Sequence, residues 1–178
     1  IIKLTSIIRN QSHSNKITTL YLPSINVIRK ISYHSDGIKK LKNELKGWQW
    51  YQKKIKKKII LSFKITKNSM IIDTINLNGY TVNYNQSILN TEKYLYTIIS
   101  HYKDVWGEPK KNVPSHGDLT LDNVILNGKK VFVIDWEHFD INGKNYGLDI
   151  AYLIFSALIL PNKEKLPNDK EINIASKL

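Results

Sequence analysis

Apolar residues cluster in short β-like runs through the opening third of the chain and then switch to a helical spacing. Residues 2–8 and 16–22 have the β-branched and aliphatic density of strands. Residues 9–15 between them read as a polar turn, Pro23-Ser24 marks the next boundary, and residues 25–32 form a third β-rich run. Three short strands with brief connections predict an antiparallel meander, whose apolar face needs a cover. The following segment supplies one. Ile38, Leu41, Leu45, Trp48, Tyr51 or Gln52, Ile55 and Ile59 recur every three or four residues, the period of an amphipathic helix. Asp36 is a candidate cap near its start, Gly47 weakens the case for an unbroken helix, and Lys39, Lys42, Lys46, Lys53 and Lys57 lie on the opposite face.

Two further β-like runs, 59–66 and 70–75, are joined by the turn Lys67-Asn68-Ser69, and residues 76–85, with Asn78-Gly79, read as a linker. Ile88, Leu95, Ile98 or Ile99 and Tyr102 predict a helix over 86–105, stopped by Gly107 and Pro109. After Pro114 the pattern changes to loops and strands. Residues 115–123 are polar, 124–126 apolar, Asn127-Gly128 is a hairpin signal and 131–134 a short strand. The apolar segment 150–160 ends at Pro161, too short to span a bilayer, and reads as a buried helix. The remainder is polar and weakly patterned, and no internal repeat is present.

Composition sharpens this picture. With 178 residues, 42% hydrophobic and 24% charged, the chain can build one ordinary core or two small lobes, which excludes a natively disordered tail. The absence of cysteine removes disulfides, thiolate zinc sites and cysteine nucleophiles. The net charge of +12 is uneven: residues 1–70 hold 16 basic against 2 acidic residues, and residues 71–178 hold 11 against 13. Two regions with different jobs are expected. The lysine run 53–58 makes nucleic-acid binding a rival function, although Trp48, Trp50 and Tyr51 fit a packed helix as readily as a base-stacking platform. No segment reads as a membrane span or a secretory leader, and a cytoplasmic setting is expected. The chain begins at Ile1 and not at methionine, which reads as a fragment of a longer protein or a chain with further residues before it, in preference to a processed product.

The chemically informative stretch is His116-Gly117-Asp118-Leu119-Thr120-Leu121-Asp122-Asn123, followed after the hairpin by Val131-Phe132-Val133-Ile134-Asp135-Trp136-Glu137. It puts Asp118, Asn123 and Asp135 on loops attached to short apolar strands, where carboxylate and amide oxygens can converge. Such a hard oxygen set suits Mg²⁺, and one Asp in it can accept a proton from an incoming hydroxyl. These two segments resemble the catalytic and metal-binding segments of the aminoglycoside phosphotransferase and choline kinase-like family, relatives of the protein kinases. The related kinase pattern has an Asn five positions after the first Asp and a second Asp after a short hairpin. Here the Asn follows by five and the second Asp by seventeen.

The resemblance implies a two-lobed, protein-kinase-like α+β fold. A small antiparallel-sheet lobe over residues 1–78 would bind nucleotide, and a mainly helical catalytic lobe over 79–178 would be partial at its C-terminal end. It implies that Asp118 is the catalytic residue that orients and partly deprotonates the acceptor hydroxyl, and that Asn123 and Asp135 hold Mg²⁺ on the phosphates of ATP. Lys30, or its neighbour Arg29 on the opposite side of the strand, would contact phosphate, with Glu44 holding the lysine from the helix. Ser14-Asn15 would contact phosphate in a loop that lacks the glycines of protein kinases. His116 is expected to shape the loop, Asp149 to cap free N–H groups and brace it, Trp136 to pack beneath it, and Glu137 to support metal water or acceptor. Asp122 reads as a solvated or locally capping residue. The expected reaction is ATP-dependent phosphoryl transfer to a hydroxyl of a small molecule such as a sugar, amino alcohol or polysaccharide precursor, with an aminoglycoside as a further candidate. An inactive kinase-like scaffold is the alternative, and a nucleic-acid binder the lesser one.

Overall fold

The computed structural model describes residues 7–12, 16–81, 88–143, 145–158, 172–173 and 176–177. The chain is α+β, with antiparallel sheets and three helices of eight residues or more among the described residues. It divides into two compact units, one ending at Asn76 and also holding Trp136–Phe139, the other made of Leu77–Asp135 and the residues from Asp140 onward. No helix among the described residues is long and apolar enough to cross a membrane.

The first unit is a five-stranded antiparallel sheet of β1 (Ile7–Ser12), β2 (Ile17–Leu22), β3 (Val27–Ser32), β4 (Ile60–Ile65) and β5 (Met70–Ile75), in the order β1-β2-β3-β5-β4. Helix α1 (Ser35–Lys54) lies between β3 and β4 in the chain and buries Leu41, Leu45, Trp48 and Tyr51, one per helical turn. Two sequence expectations need correction. Residues 9–12, expected in a polar turn, continue β1 and pair with β2 across a register shift between Ile8 and Gln11. Backbone pairing needs no apolar side chain, so polarity alone did not mark a turn there. Ile59, expected to extend the helical stripe, is outside it. Helix α1 ends at Lys54, Lys56 turns the chain at φ 51°, and the Ile59 and Ile60 N–H groups donate to Gln52 Oε1 at 3.1 and 3.2 Å as the chain enters β4.

The helix start also differs. His34 is the N-cap, without a side-chain capping bond, and Asp36 lies in the first turn, 3.4 Å from Lys16 Nζ. Gly47, which reads as a weak point, is a site of close approach. A Cβ there would lie 2.4 Å from Trp136 Cβ and 2.8 Å from Trp136 Cγ. The Trp136 ring is wholly buried, with ring centroids of Tyr51, Trp50, Phe139 and Trp48 at 5.0, 5.8, 5.7 and 6.3 Å. Trp136 therefore packs against α1, and a glycine on the facing helix turn makes the room.

The second unit contains β6 (Tyr80–Thr81), α2 (Ile88–Trp106), β7 (Val124–Asn127), β8 (Lys130–Val133) and α3 (Leu148–Leu158). The strands form the sheet β6-β7-β8, so part of the expected linker is a strand paired with Leu126 and Ile125. Close approach again demands glycine: a Cβ on Gly79 would lie 2.5 Å from both Ile125 Cγ2 and Leu126 O. Helix α2 buries Leu95, Ile98, Ile99, Tyr102, Val105 and Trp106. Tyr102 and Trp106 stack at 4.2 Å, and Trp106 Nε1–H donates to Pro114 O at 2.6 Å, which fixes the entry to the loop carrying Asp118.

Candidate functional site

The loop before β7 is held from beneath by α3. Asp149, in the first turn of that helix, accepts the His116 N–H at Oδ2 (2.8 Å) and the Gly117 N–H at Oδ1 (3.0 Å). The buried carboxylate thus braces both residues that precede Asp118. The His116 side chain finishes the loop. Its Nε2 lies 2.9 Å from Ile134 O, and its Nδ1 accepts the Asp118 N–H at 3.3 Å. A carbonyl can only accept, so Nε2 carries the proton and Nδ1 is bare. Burial pushes the imidazole pKa down, against the opposing pull of the Ile134 carbonyl and nearby carboxylates, and favours this neutral form. With both ring nitrogens committed to backbone, His116 is a structural histidine.

Asn123 ties this loop to the hairpin. Its backbone N–H donates to Thr120 O at 3.1 Å, and its carbonyl accepts the Ile134 N–H at 2.9 Å, one residue before Asp135. Its side-chain Nδ2 donates to Asp118 O at 2.8 Å and more weakly to Asp118 Oδ2 at 3.4 Å. This use of the nitrogen leaves Oδ1 as the atom by which the amide could hold a cation. Asp118 is half-buried. Asp135 has φ 62°, a left-handed conformation that costs a non-glycine residue on the order of 1 kcal/mol and recurs where a loop must aim a functional side chain. Asp122, in the short 3-10 turn Leu121–Asn123, has its carboxyl pKa raised, first by burial and then by the Asp118 charge.

In the first unit Arg29 and Lys30 have different partners. Lys30 Nζ is 2.7 Å from Glu44 Oε1, and the Glu44 side chain is only 4% exposed and also accepts Trp48 Nε1–H at 3.3 Å. Arg29, on the other face of β3, makes a two-pronged pair with Asp73 on β5, Nε to Oδ1 at 2.7 Å and a terminal nitrogen to Oδ2 at 2.8 Å. Ser62 Oγ donates to the same carboxylate at 3.0 Å. The Arg29 hydrogen bonds hold the Asp73 carboxyl below the usual range. Arg29 is thus committed to the sheet, and the lysine is the residue presented with a helix glutamate.

Sequence reasoning missed Asp73. The signal was an acidic residue inside the otherwise apolar run Met70-Ile71-Ile72-Asp73, and it needed the β3–β5 register, in which Arg29 faces Asp73, to be read. Glu137 is engaged by Lys40 Nζ at 3.1 Å and by His138 Nε2 at 3.2 Å. Ser14 and Asn15 lie outside the described residues.

Among the described residues no three His, Cys, Asp or Glu side chains group as a complete protein-built metal site would. Mg²⁺ shared with nucleotide phosphates asks less of a protein, one or two carboxylates with water and phosphate oxygens completing the shell. The Asn123 amide oxygen and the Asp135 carboxylate fit that requirement. No protein-family model matches the sequence, and none of the curated proteins does.

Proposed function

We propose that the chain is an ATP-dependent phosphotransferase acting on a hydroxyl of a small molecule, built on a two-lobed, protein-kinase-like fold. The observation that carries this reading is the Asp118–Asn123 pair. The amide nitrogen of Asn123 is spent on Asp118 O and Oδ2, while its carbonyl is bonded to the Ile134 N–H next to Asp135. Two loops seventeen residues apart are thereby tied through one asparagine. Supporting it in the first unit are the Lys30–Glu44 pair and the placement of α1 between the third and fourth strands.

In this reading Lys30, oriented by Glu44, pairs with nucleotide phosphate. Asn123 Oδ1 and the Asp135 carboxylate would hold Mg²⁺, which would supply charge neutralisation for the transferring group. Asp118 accepts a hydrogen bond from the acceptor hydroxyl and takes its proton as the oxygen bonds to the γ-phosphorus and ADP departs. Asp149 and His116 hold the backbone that positions Asp118, and neither moves a proton.

A screen of hydroxyl acceptors with labelled ATP identifies the substrate class, and single-turnover transfer beside nucleotide binding assigns the residues. Asp118→Asn is expected to slow transfer by on the order of 10²–10⁴-fold at nearly unchanged nucleotide affinity. Asn123→Ala and Asp135→Ala should instead abolish the Mg²⁺ dependence of nucleotide binding. Metal-supported affinity that survives Asp135→Ala removes that residue from its role, and transfer unchanged in folded Asp118→Asn defeats the catalytic assignment.

A further inference from the structure

The end of α1 and the strand β4 carry a surface that the phosphotransferase reading does not use. Residues 53–67 contain seven lysines and no acidic residue. Lys53, Lys54, Lys56, Lys58, Lys64 and Lys67 are exposed. Between them, Leu61, Phe63 and Ile65 are 43%, 50% and 47% exposed, although all three sit on a strand. β4 ends its sheet, with β5 as its neighbour. Phe63 is opposite Ile72 and Ile65 opposite Met70, so both project on the face that buries those residues, while Leu61 occupies the register shift between Ile60 and Ser62. Exposed apolar side chains on an edge strand, flanked in the chain by charge of a single sign, mark an interaction surface.

We propose that this surface docks the protein on an anionic lipid bilayer. The lysine ammonium groups meet headgroup phosphates and carboxylates, and Leu61, Phe63 and Ile65 enter the boundary between headgroups and acyl chains. Charge complementarity selects this occupant. A second copy of the chain would bring the same seven lysines, with no acidic residue among them, against those of this one, which disfavours self-pairing. A nucleic acid would satisfy the lysines but offers Leu61 and Ile65 no apolar medium, and it binds through stacked aromatic rings, of which the patch has one. Each lysine beside an anionic surface strengthens partition roughly fivefold, so several act together without any spanning helix.

The test is co-sedimentation of the full chain with large unilamellar vesicles, either of phosphatidylcholine alone or with about one-third phosphatidylserine. Binding to the anionic vesicles is expected to exceed binding to the neutral ones by roughly tenfold or more at low salt. Lys53→Gln with Lys54→Gln, Lys56→Gln and Lys58→Gln should lower partition by on the order of a hundredfold or more, and separately Phe63→Ser with Ile65→Ser by roughly tenfold, each at unchanged melting temperature. If the apolar pair lowers melting, Leu61→Ser at the register shift gives the same reading. Asp118→Asn should partition like the wild type, which separates this surface from the reaction. Absence of binding, equal binding to both vesicles, or full binding by the apolar variants overturns the proposal. Tighter binding to a single-stranded oligonucleotide that ignores the apolar substitutions also overturns it, in favour of nucleic acid.

Discussion

Replacing Gly47 by alanine sets two effects of known size against each other. In an exposed helix interior, glycine to alanine stabilises by about 1 kcal/mol, because the backbone entropy of glycine is no longer lost on folding. Position 47 is in the middle of α1, so propensity alone forecasts a more stable protein. The structure forecasts the reverse. The new methyl carbon would lie 2.4, 2.8 and 3.0 Å from Trp136 Cβ, Cγ and Cδ2, where carbon atoms normally rest about 3.5–4.0 Å apart. The closest of these atoms is tied to the backbone and cannot swing aside by a rotamer change. The ring beyond it is wholly buried and bounded by Tyr51, Trp50 and Phe139, so relief requires the turn itself to shift by about 1 Å. Overpacking of this kind costs about 1–3 kcal/mol. Taking the upper part of that range for a contact anchored in backbone, and subtracting the propensity gain, leaves a net loss of about 2 kcal/mol.

For a chain of this size that loss corresponds to a melting temperature lower by about 4–8 °C. Tryptophan fluorescence is a suitable monitor, because Trp48, Trp50 and Trp136 all report on this cluster. The same substitution in a Trp136→Gly background separates the causes: with Cβ, Cγ and the indole all gone, alanine at 47 should be neutral or stabilising. A Gly47→Ala protein that melts at or above the wild-type temperature refutes the close-packing argument. A penalty of equal size in both backgrounds refutes its attribution to Trp136.

Asp149→Ala removes the acceptor of two backbone N–H groups and should cost about 2–4 kcal/mol in urea unfolding, whereas an unchanged midpoint would mean that water replaces the carboxylate freely. The lowered folded pKa of Asp73, caused first by the Arg29 hydrogen bonds, makes its contribution to stability complete above the ordinary carboxylate pKa. That contribution is lost as pH falls through the lower folded value, so Asp73→Asn should flatten this part of the acid-unfolding profile, and an identical profile would contradict the pairing. Lys30→Met should weaken nucleotide binding by roughly tenfold or more, while Arg29→Met should lower stability and leave nucleotide affinity intact; the opposite assignment of effects, read by titration and melting, would reverse their roles.

What the sequence disclosed depended on how local each interaction is. The helical stripe from Leu41 to Tyr51 and that from Leu95 to Val105 were legible because period and burial follow from neighbouring residues alone. The same reasoning carried Ile59 too far: the residue is apolar and in phase, but the helix stops five residues earlier and Ile59 is buried at the approach to β4. Asp118, Asn123 and Asp135 were legible as candidates because their spacing is short and their strands are clearly apolar. The bond of Asn123 Nδ2 to Asp118 was not legible, since spacing fixes proximity and not which atom of an amide points where.

Arg29 and Lys30 show where local pattern stops. Alternation along a strand puts them on opposite faces but does not say which face the helix covers. Each is decided by a distant acidic residue, Asp73 by way of β5 and Glu44 by way of α1. An acid buried among apolar neighbours must be compensated, so Asp73 inside β5 and Glu44 on the buried side of α1 each demand a cation across the register or the helix face. Two buried acids and two adjacent cations admit only two pairings. Arginine's planar fork suits the side-by-side geometry of neighbouring strands, where Arg29 meets both oxygens of Asp73, and the longer, single-point lysine suits the reach from strand to helix. The pairing observed is therefore the one that side-chain geometry favours once the fold has brought β3, β5 and α1 together.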